Sequence, residues 1–266
     1  MVSFSFPLIF SSISVVTNLY IDRLAIISLL DLEKLGIYGM AYRFASISNL
    51  LIFGFQNSLM PLVYKHINER NTPNEISKIF NYFSFFAFVL ILMSILYSKE
   101  IIILFTTEEF FAASDIIPLL VISIIFSNMY IFAPGIFIAK KTKLVAIVFI
   151  IGALVNALLN YFLIPLIGLF GACISTIISA FISTLVLFII SAKYYKIPYQ
   201  FRKLIVSLIL SVCFAYLFIF LFHGISILFI VLKFLSVIVI AVLLWFQLIK
   251  SISGSSLIYC VIPPDK

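Results

Sequence analysis

The chain has 266 residues, of which 64% are hydrophobic and only 10% are charged, and its formal net charge is +7. A soluble domain typically carries about 25% charged residues, so this chain has too few polar side chains to cover a water-facing surface. The composition excludes a soluble protein and predicts an integral membrane protein. Its positive charge then reflects basic loops on one side of the bilayer rather than nucleic-acid binding.

Eight apolar stretches are long enough to predict membrane-spanning helices. Their apolar residues follow no strict alternation, which argues against a β-barrel. The predicted fold class is therefore all-α: a polytopic membrane helix bundle. No soluble domain is predicted between the stretches, so the working parts are the helices themselves. The predicted spans are residues 4–30, 38–64, 79–98, 117–138, 144–165, 168–190, 204–222 and 225–249.

The basic residues of the connections support this count. Only Lys34 and Lys99 lie in the connections on one side, whereas twelve basic residues lie on the other. Because Lys and Arg concentrate in cytoplasmic loops, we expect a multi-pass protein of the cytoplasmic (inner) membrane with both termini in the cytoplasm. The twelve are Lys65, Arg70, Lys78, Lys140, Lys141, Lys143, Lys193, Lys196, Arg202, Lys203, Lys250 and Lys266.

Two local features interrupt the apolar pattern. The connection at residues 99–118 is apolar apart from a few charges that include Glu108 and Glu109, and we expect a short helix along the outer interface rather than a plain loop. In the fourth span, Pro134 is followed by Gly135, which predicts a kink or hinge.

Charged residues inside the first two spans are the leading candidates for a functional site. Asp22 and Arg23 lie about eight residues inside the end of the first span, at a depth of roughly 10–12 Å. A charge there costs about 2.5–3.5 kcal/mol and tends to face a bundle interior or an aqueous cavity. Arg43 lies at a similar depth in the second span, so we expect the three charges in one layer. Asn18 shares a helical face with Asp22, and Asn49 lies deeper in the second span.

Two interpretations of this layer are open. The charges could form an ion pair that only fixes helix packing. Alternatively, they could line a cavity for an anionic substrate, because two arginines against one aspartate leave a net positive charge. The planar guanidinium of Arg suits phosphate recognition.

Later spans carry weaker candidates. Asn156 and Asn160 share a face of the fifth span, where interhelical amide hydrogen bonds are the simpler account and contact with a substrate is the alternative. Rows of small residues in the sixth span, one of which contains Thr176, predict a packing face. Lys233 in the last span is interpreted as a lipid-facing lysine whose ammonium group reaches the interface.

Familiar enzyme signatures are missing from the sequence. It contains no GxSxG, no HExxH, no phosphate-binding Gly-rich loop and no DxD-like pair of carboxylates. We therefore predict that the chain is not an enzyme and has no cofactor or metal site.

Several segments together resemble the carboxyl-terminal half of polysaccharide flippases. These proteins belong to the multidrug/oligosaccharidyl-lipid/polysaccharide exporter superfamily, which includes O-antigen and lipid-linked oligosaccharide translocases. The segments cover most of residues 3–200 in a shared order. They are FPLIF (6–10), NLYIDRLAI (18–26), LEKLGIYGMAYRFA (32–45), SLMPLVYKHI (58–67), the KKTK turn (140–143), NALLNYFLIPLIGLFGACISTIIS (156–179) and KYYKIPY (193–199).

The resemblance implies a fold and a substrate. Such transporters have two pseudo-symmetric six-helix lobes around a central cavity. Residues 1–200 would be the second lobe, and residues 201–266 two additional helices with a cytoplasmic tail. Asp22, Arg23 and Arg43 match charged positions held to face the cavity and meet an undecaprenyl-diphosphate-type oligosaccharide.

The resemblance departs from the family in one large respect: the matching segments correspond to the second lobe alone, and we expect a chain without the first lobe. The expected partners are therefore membrane lipid, the lipid-linked oligosaccharide, and a second lobe or another copy of the chain. The expected function is flipping of lipid-linked oligosaccharide, O-antigen or polysaccharide units, by a partial or truncated chain. The alternatives are a cation-coupled multidrug exporter of the same fold, a polymerase or acyltransferase of polysaccharide assembly, and a non-functional remnant.

Overall fold

A computed structural model describes residues 20–65, 69, 71–221 and 227–250, and within these ranges the chain is helical, without β-strands. Two 3₁₀-helices, Glu108–Phe110 and Met129–Phe132, and a short π-helix, Phe246–Lys250, accompany the α-helices. The α-helices are α1 (20–29), α2 (Leu32–Ala45), α3 (Ser48–Lys65), α4 (Thr72–Phe105), α5 (Ala113–Asn128), α6 (Gly135–Ile138), α7 (Thr142–Ile167), α8 (Leu169–Tyr194), α9 (Phe201–Leu221) and α10 (Ile227–Trp245).

Six helical segments of the described chain are long and apolar enough to cross a bilayer. Each overlaps one of the predicted spans from the third to the eighth, which confirms the polytopic all-α membrane fold. Most of the predicted first span, residues 4–19, lies outside the described residues, and α1 forms its end. The six segments are Thr72–Phe105, Ala113–Phe132, Thr142–Ile167, Leu169–Tyr194, Phe201–Phe218 and Val231–Ile249.

The second predicted span, residues 38–64, is wrong as a single helix, because the chain breaks into α2 and α3 at Ser46 and Ile47. The amide of Ile47 bonds to the carbonyl of Phe44, three residues back, and the Ser46 hydroxyl donates to the carbonyl of Arg43 at 2.7 Å. Serine competes for backbone acceptors in this way, and the tighter i→i+3 bonds end the regular α-helix.

The predicted interfacial helix at 99–118 is also wrong. The apolar residues up to Phe105 extend α4, and the acidic pair forms the exposed 3₁₀-helix Glu108–Phe110 before α5 begins. Thr106 ends α4 with its hydroxyl on the carbonyl of Ile102 at 2.7 Å. The kink predicted at Pro134 and Gly135 is confirmed, because the chain leaves helical geometry at Ala133 and re-enters it in α6.

The chain divides into two compact units. The first comprises residues 1–65 and 98–196, and its centre is the antiparallel pair α7 and α8, with α5 packed on α8 and α2 on α5. Glycines allow the α7–α8 contact: a Cβ on Gly152 would meet the hydroxyl of Ser183, and one on Gly171 would meet the carbonyl of Leu163. The sixth predicted span therefore supplies a packing face, as expected from its small residues.

The second unit comprises residues 66–97 and 197–266. Within it, the prediction that Lys233 faces lipid is wrong. This side chain is only 8% exposed, so it does not face lipid. Its ammonium group donates to the carbonyl of Leu96 at 2.8 Å and lies 5.9 Å from the ring centre of Tyr97. A carbonyl and an aromatic face replace water around the charge, which makes burial tolerable. The predicted boundary between the lobe and the additional helices, at residue 200, stays a prediction.

We expect Gly171→Ala to destabilise the first unit. The added methyl group would overlap the backbone of Leu163, and overpacking of this kind costs about 1–3 kcal/mol. Gly54→Ala is the matched control, because no atom lies within 4 Å of its added methyl group. Thermal unfolding in detergent should show a lower Tm for Gly171→Ala alone; equal Tm values would contradict the close contact.

Candidate functional site

Asp22 lies at the centre of a hydrogen-bonded cluster between four helices of the first unit. The side chain is 4% exposed and accepts bonds on both carboxylate oxygens. Oδ1 accepts from Asn160 Nδ2 at 2.7 Å, while Oδ2 accepts from Tyr38 Oη at 3.0 Å and from Thr176 Oγ1 at 2.7 Å. The helices α1, α2, α7 and α8 thus each contribute one side chain to the contact.

The two asparagines of α7 extend the cluster. They are spaced i,i+4 and share one face, so Asn160 Nδ2 also donates to Asn156 Oδ1 at 3.1 Å. Asn156 Nδ2 reaches Thr176 Oγ1 at 3.3 Å. The hydroxyl of Thr176 lies 2.8 Å from the carbonyl of Ala172 as well, and its single proton serves either this carbonyl or Asp22.

The hydrogen-bond partners that the structure describes for Asp22 are all neutral. A buried carboxylate without a cation has a large desolvation cost, which several donors offset only in part. Asn160 Oδ1 is buried and has no hydrogen-bond donor in the described chain. The cluster therefore offers oxygen atoms of the kind that hold a proton or a small hard cation, supplied by Asp22, Asn156, Asn160 and Thr176.

A cavity of about 300 Å³ opens beside this cluster within the first unit. Asp22 is the one charged residue among the described residues that line it, and Tyr38, Tyr42 and Tyr130 add aromatic surface. Most other lining residues carry a hydroxyl or amide group: Asn49, Ser123, Ser127, Asn128, Asn156, Thr176, Ser179, Ser183 and Thr184. The cavity thus combines a largely apolar surface with polar groups that are predominantly neutral.

The structure brings together only part of the predicted site. Asp22, Asn156 and Asn160 meet in the cluster, and Asn49 lines the cavity. Asn18 lies outside the described residues.

The expected layer of three charges does not form at the cavity, because neither arginine lines it. Arg23 is half-buried, with its guanidinium 5.5 Å from the ring centre of Tyr20 and 5.4 Å from that of Tyr42. Arg43 is exposed. Adjacent helical residues point about 100° apart, so Arg23 cannot share the direction of Asp22, nor Arg43 that of Tyr42.

Two residues of the cluster are not among those that the sequence predicts for the site. Thr176 falls in the predicted packing face of the sixth span, and Tyr38 carries no prediction. Thr176 lies one helical turn from Ala172 on a row of small residues, so its hydroxyl was a polar group in a close helix contact. The sequence offers a weaker indication for Tyr38, which lies one helical turn before Tyr42 and so shares a face of α2 with it.

A helical membrane fold with a cavity among its helices fits a membrane transporter. The sequence supports this class directly, because residues 7–162, more than half of the chain, match the MatE family. The chain belongs to the MatE family of membrane exporters. The matched residues include Asp22, Asn156 and Asn160 but not Thr176. No curated protein and no solved structure matches the chain significantly.

We expect Tyr38→Phe to lower the stability of the first unit by about 1–2 kcal/mol, because Asp22 would lose one donor while remaining buried. Tyr42→Phe is the control: no described hydrogen bond of the Tyr42 hydroxyl is lost, and its ring contact with Arg23 is kept. Thermal unfolding in detergent compares the two. A Tm for Tyr38→Phe that is no lower than that for Tyr42→Phe would show that the bond to Asp22 contributes little.

Proposed function

We propose that the chain is the carboxyl-terminal lobe of a flippase that moves lipid-linked oligosaccharide or polysaccharide repeat units across the cytoplasmic membrane, rather than an enzyme. The observation that carries this proposal is the composition of the cavity wall. Sugar hydroxyls need neutral donors and acceptors beside apolar surface, and the cavity supplies hydroxyl, amide and tyrosine side chains. Both termini are proposed to be cytoplasmic, in keeping with the basic connections.

The volume of the cavity is at the lower end for small-molecule pockets, so it would hold part of a glycan headgroup. A second lobe, from another chain or another copy, would complete the enclosure while the lipid tail stays in the bilayer. Asp22 is proposed to couple transport to a proton or a cation, because its carboxylate and the Asn160 oxygen provide the acceptors.

The position of the arginines changes the earlier expectation about the diphosphate. Neither Arg23 nor Arg43 lines the cavity, so we do not assign the diphosphate to the cavity itself. Arg43 is exposed and follows the cavity-lining Tyr42, which leaves its planar donors available to a phosphate outside the cavity.

A cation-coupled multidrug exporter is the second candidate, and one observation favours it. The expected basic cavity would repel cationic drugs, but the charged lining group that the structure describes is the carboxylate of Asp22. An acidic group in an otherwise neutral cavity suits a lipophilic cation.

The flippase proposal is tested by complementation of a flippase-deficient strain, with and without a supplied amino-terminal lobe. We expect surface polysaccharide to return with the wild-type chain and to be lost with Ser127→Phe, because the added ring would fill the cavity. Ser28→Phe is the control, since Ser28 is an exposed helical serine of the same unit and does not line the cavity. Polysaccharide at wild-type levels in the Ser127→Phe strain would exclude the cavity from the path of the glycan.

The second candidate makes a different prediction for the same strains. A multidrug exporter lowers the cellular accumulation of a fluorescent lipophilic cation, and Asp22→Asn should restore accumulation, because the amide keeps the shape but not the charge. Efflux that survives in Asp22→Asn would argue against an acidic drug site. Efflux without any return of polysaccharide would favour the exporter over the flippase.

A further inference from the structure

One end of the first unit carries a patch of exposed lysines on two neighbouring chain segments. The first segment is the turn between α6 and α7 with the start of α7, and the second is the end of α8 with the residues that follow it. The patch, which we call the basic end, consists of Lys140, Lys141, Lys143, Lys193 and Lys196, all exposed.

Specific contacts hold the two segments together. The ammonium group of Lys141 donates to Tyr194 Oη at 3.0 Å and lies 4.7 Å from the centre of its ring. Close by, the amide of Gly135 donates to Ser191 Oγ at 2.9 Å. The lysines are therefore brought together by the fold rather than by sequence alone.

The conformation of the turn does not itself call for a lysine. Lys140 has φ of 55°, in the left-handed region that favours glycine or asparagine. For Lys140, Lys143, Lys193 and Lys196, the structure describes no ion pair with another described residue. Their like charges repel, and no ion pair with a described acidic side chain offsets this repulsion.

The acidic residues of the first unit lie elsewhere in the fold and do not neutralise the basic end. Asp31 and Glu33 lie at the start of α2, and Glu100 lies near the end of α4. Glu108 and Glu109 lie in a 3₁₀-helix that packs against α2, and Asp115 lies in the first turn of α5. The chain then runs the length of α5 and α6 before it reaches Lys140. Asp22 is buried in its own cluster.

We propose that the basic end binds the headgroups of anionic phospholipids. It lies where membrane-spanning helices end, and basic side chains near such ends attract acidic lipids with about 1 kcal/mol each. Tyr194 supports this placement, because tyrosine favours the level of the headgroups and orients Lys141 there. The proposal concerns the surrounding membrane and is independent of the transported cargo.

The test titrates phosphatidylglycerol or phosphatidylcholine into the full chain in neutral detergent micelles, with bound lipid measured by native mass spectrometry. We expect the wild-type chain to prefer phosphatidylglycerol, and Lys140→Gln/Lys143→Gln to bind it roughly thirtyfold more weakly. Lys34→Gln/Lys99→Gln is the matched control: it also removes two positive charges, from α2 and α4 outside the basic end, and should keep the preference.

Three results would overturn the proposal. Equal binding of the two lipids by the wild-type chain would show no headgroup preference. If both double variants bound phosphatidylglycerol equally weakly, the preference would reflect the net charge of the chain and not the basic end. If inorganic phosphate alone, at matched concentration, competed with phosphatidylglycerol equally well, the basic end would be a site for free anions. All four substitutions are at side chains that reach solvent or lipid, and circular dichroism checks that the helices persist.

Discussion

The buried carboxyl group of Asp22 is the constraint on which the first unit depends. A charge inside an apolar helix bundle is tolerated only where neighbours replace the hydrogen bonds of water. Asn160, Tyr38 and Thr176 do this from three other helices. The need to satisfy one side chain therefore constrains the relative rotation of α1, α2, α7 and α8. Asp22, Tyr38 and Thr176 also line the adjoining cavity.

The close contact of α7 and α8 makes this arrangement possible. Gly152 and Gly171 remove the side chains that would separate the two backbones, so Asn156 and Thr176 come within hydrogen-bond distance across the interface. Packing and polarity thus act together: small residues set the distance, and the polar groups select the rotation at which they meet. A transporter needs such a defined wall, because a cavity between loosely packed helices would change shape without any cargo.

Much of the fold follows from composition, but the site follows only in part. The six spans from the third to the eighth could be predicted, because long apolar stretches have few alternatives to a membrane helix. The inward direction of Asp22 was also predictable from the cost of its charge. The direction of Arg23 and Arg43 was not, because a long side chain can satisfy its charge on nearby aromatic rings or outside the bundle. The break at Ser46 depends on local backbone bonds that hydropathy does not register.

The hydroxyl of Thr176 has a further consequence for how the wall could respond to its surroundings. It sits within reach of both Asp22 and the main chain of α8 but has one hydrogen to give. If a proton or cation neutralised the acid, as proposed above, that hydrogen would be free to turn back to Ala172 by rotation about a single bond. Occupancy at the acid would then reach α8 as a change of hydrogen-bond partner, with no backbone displacement required.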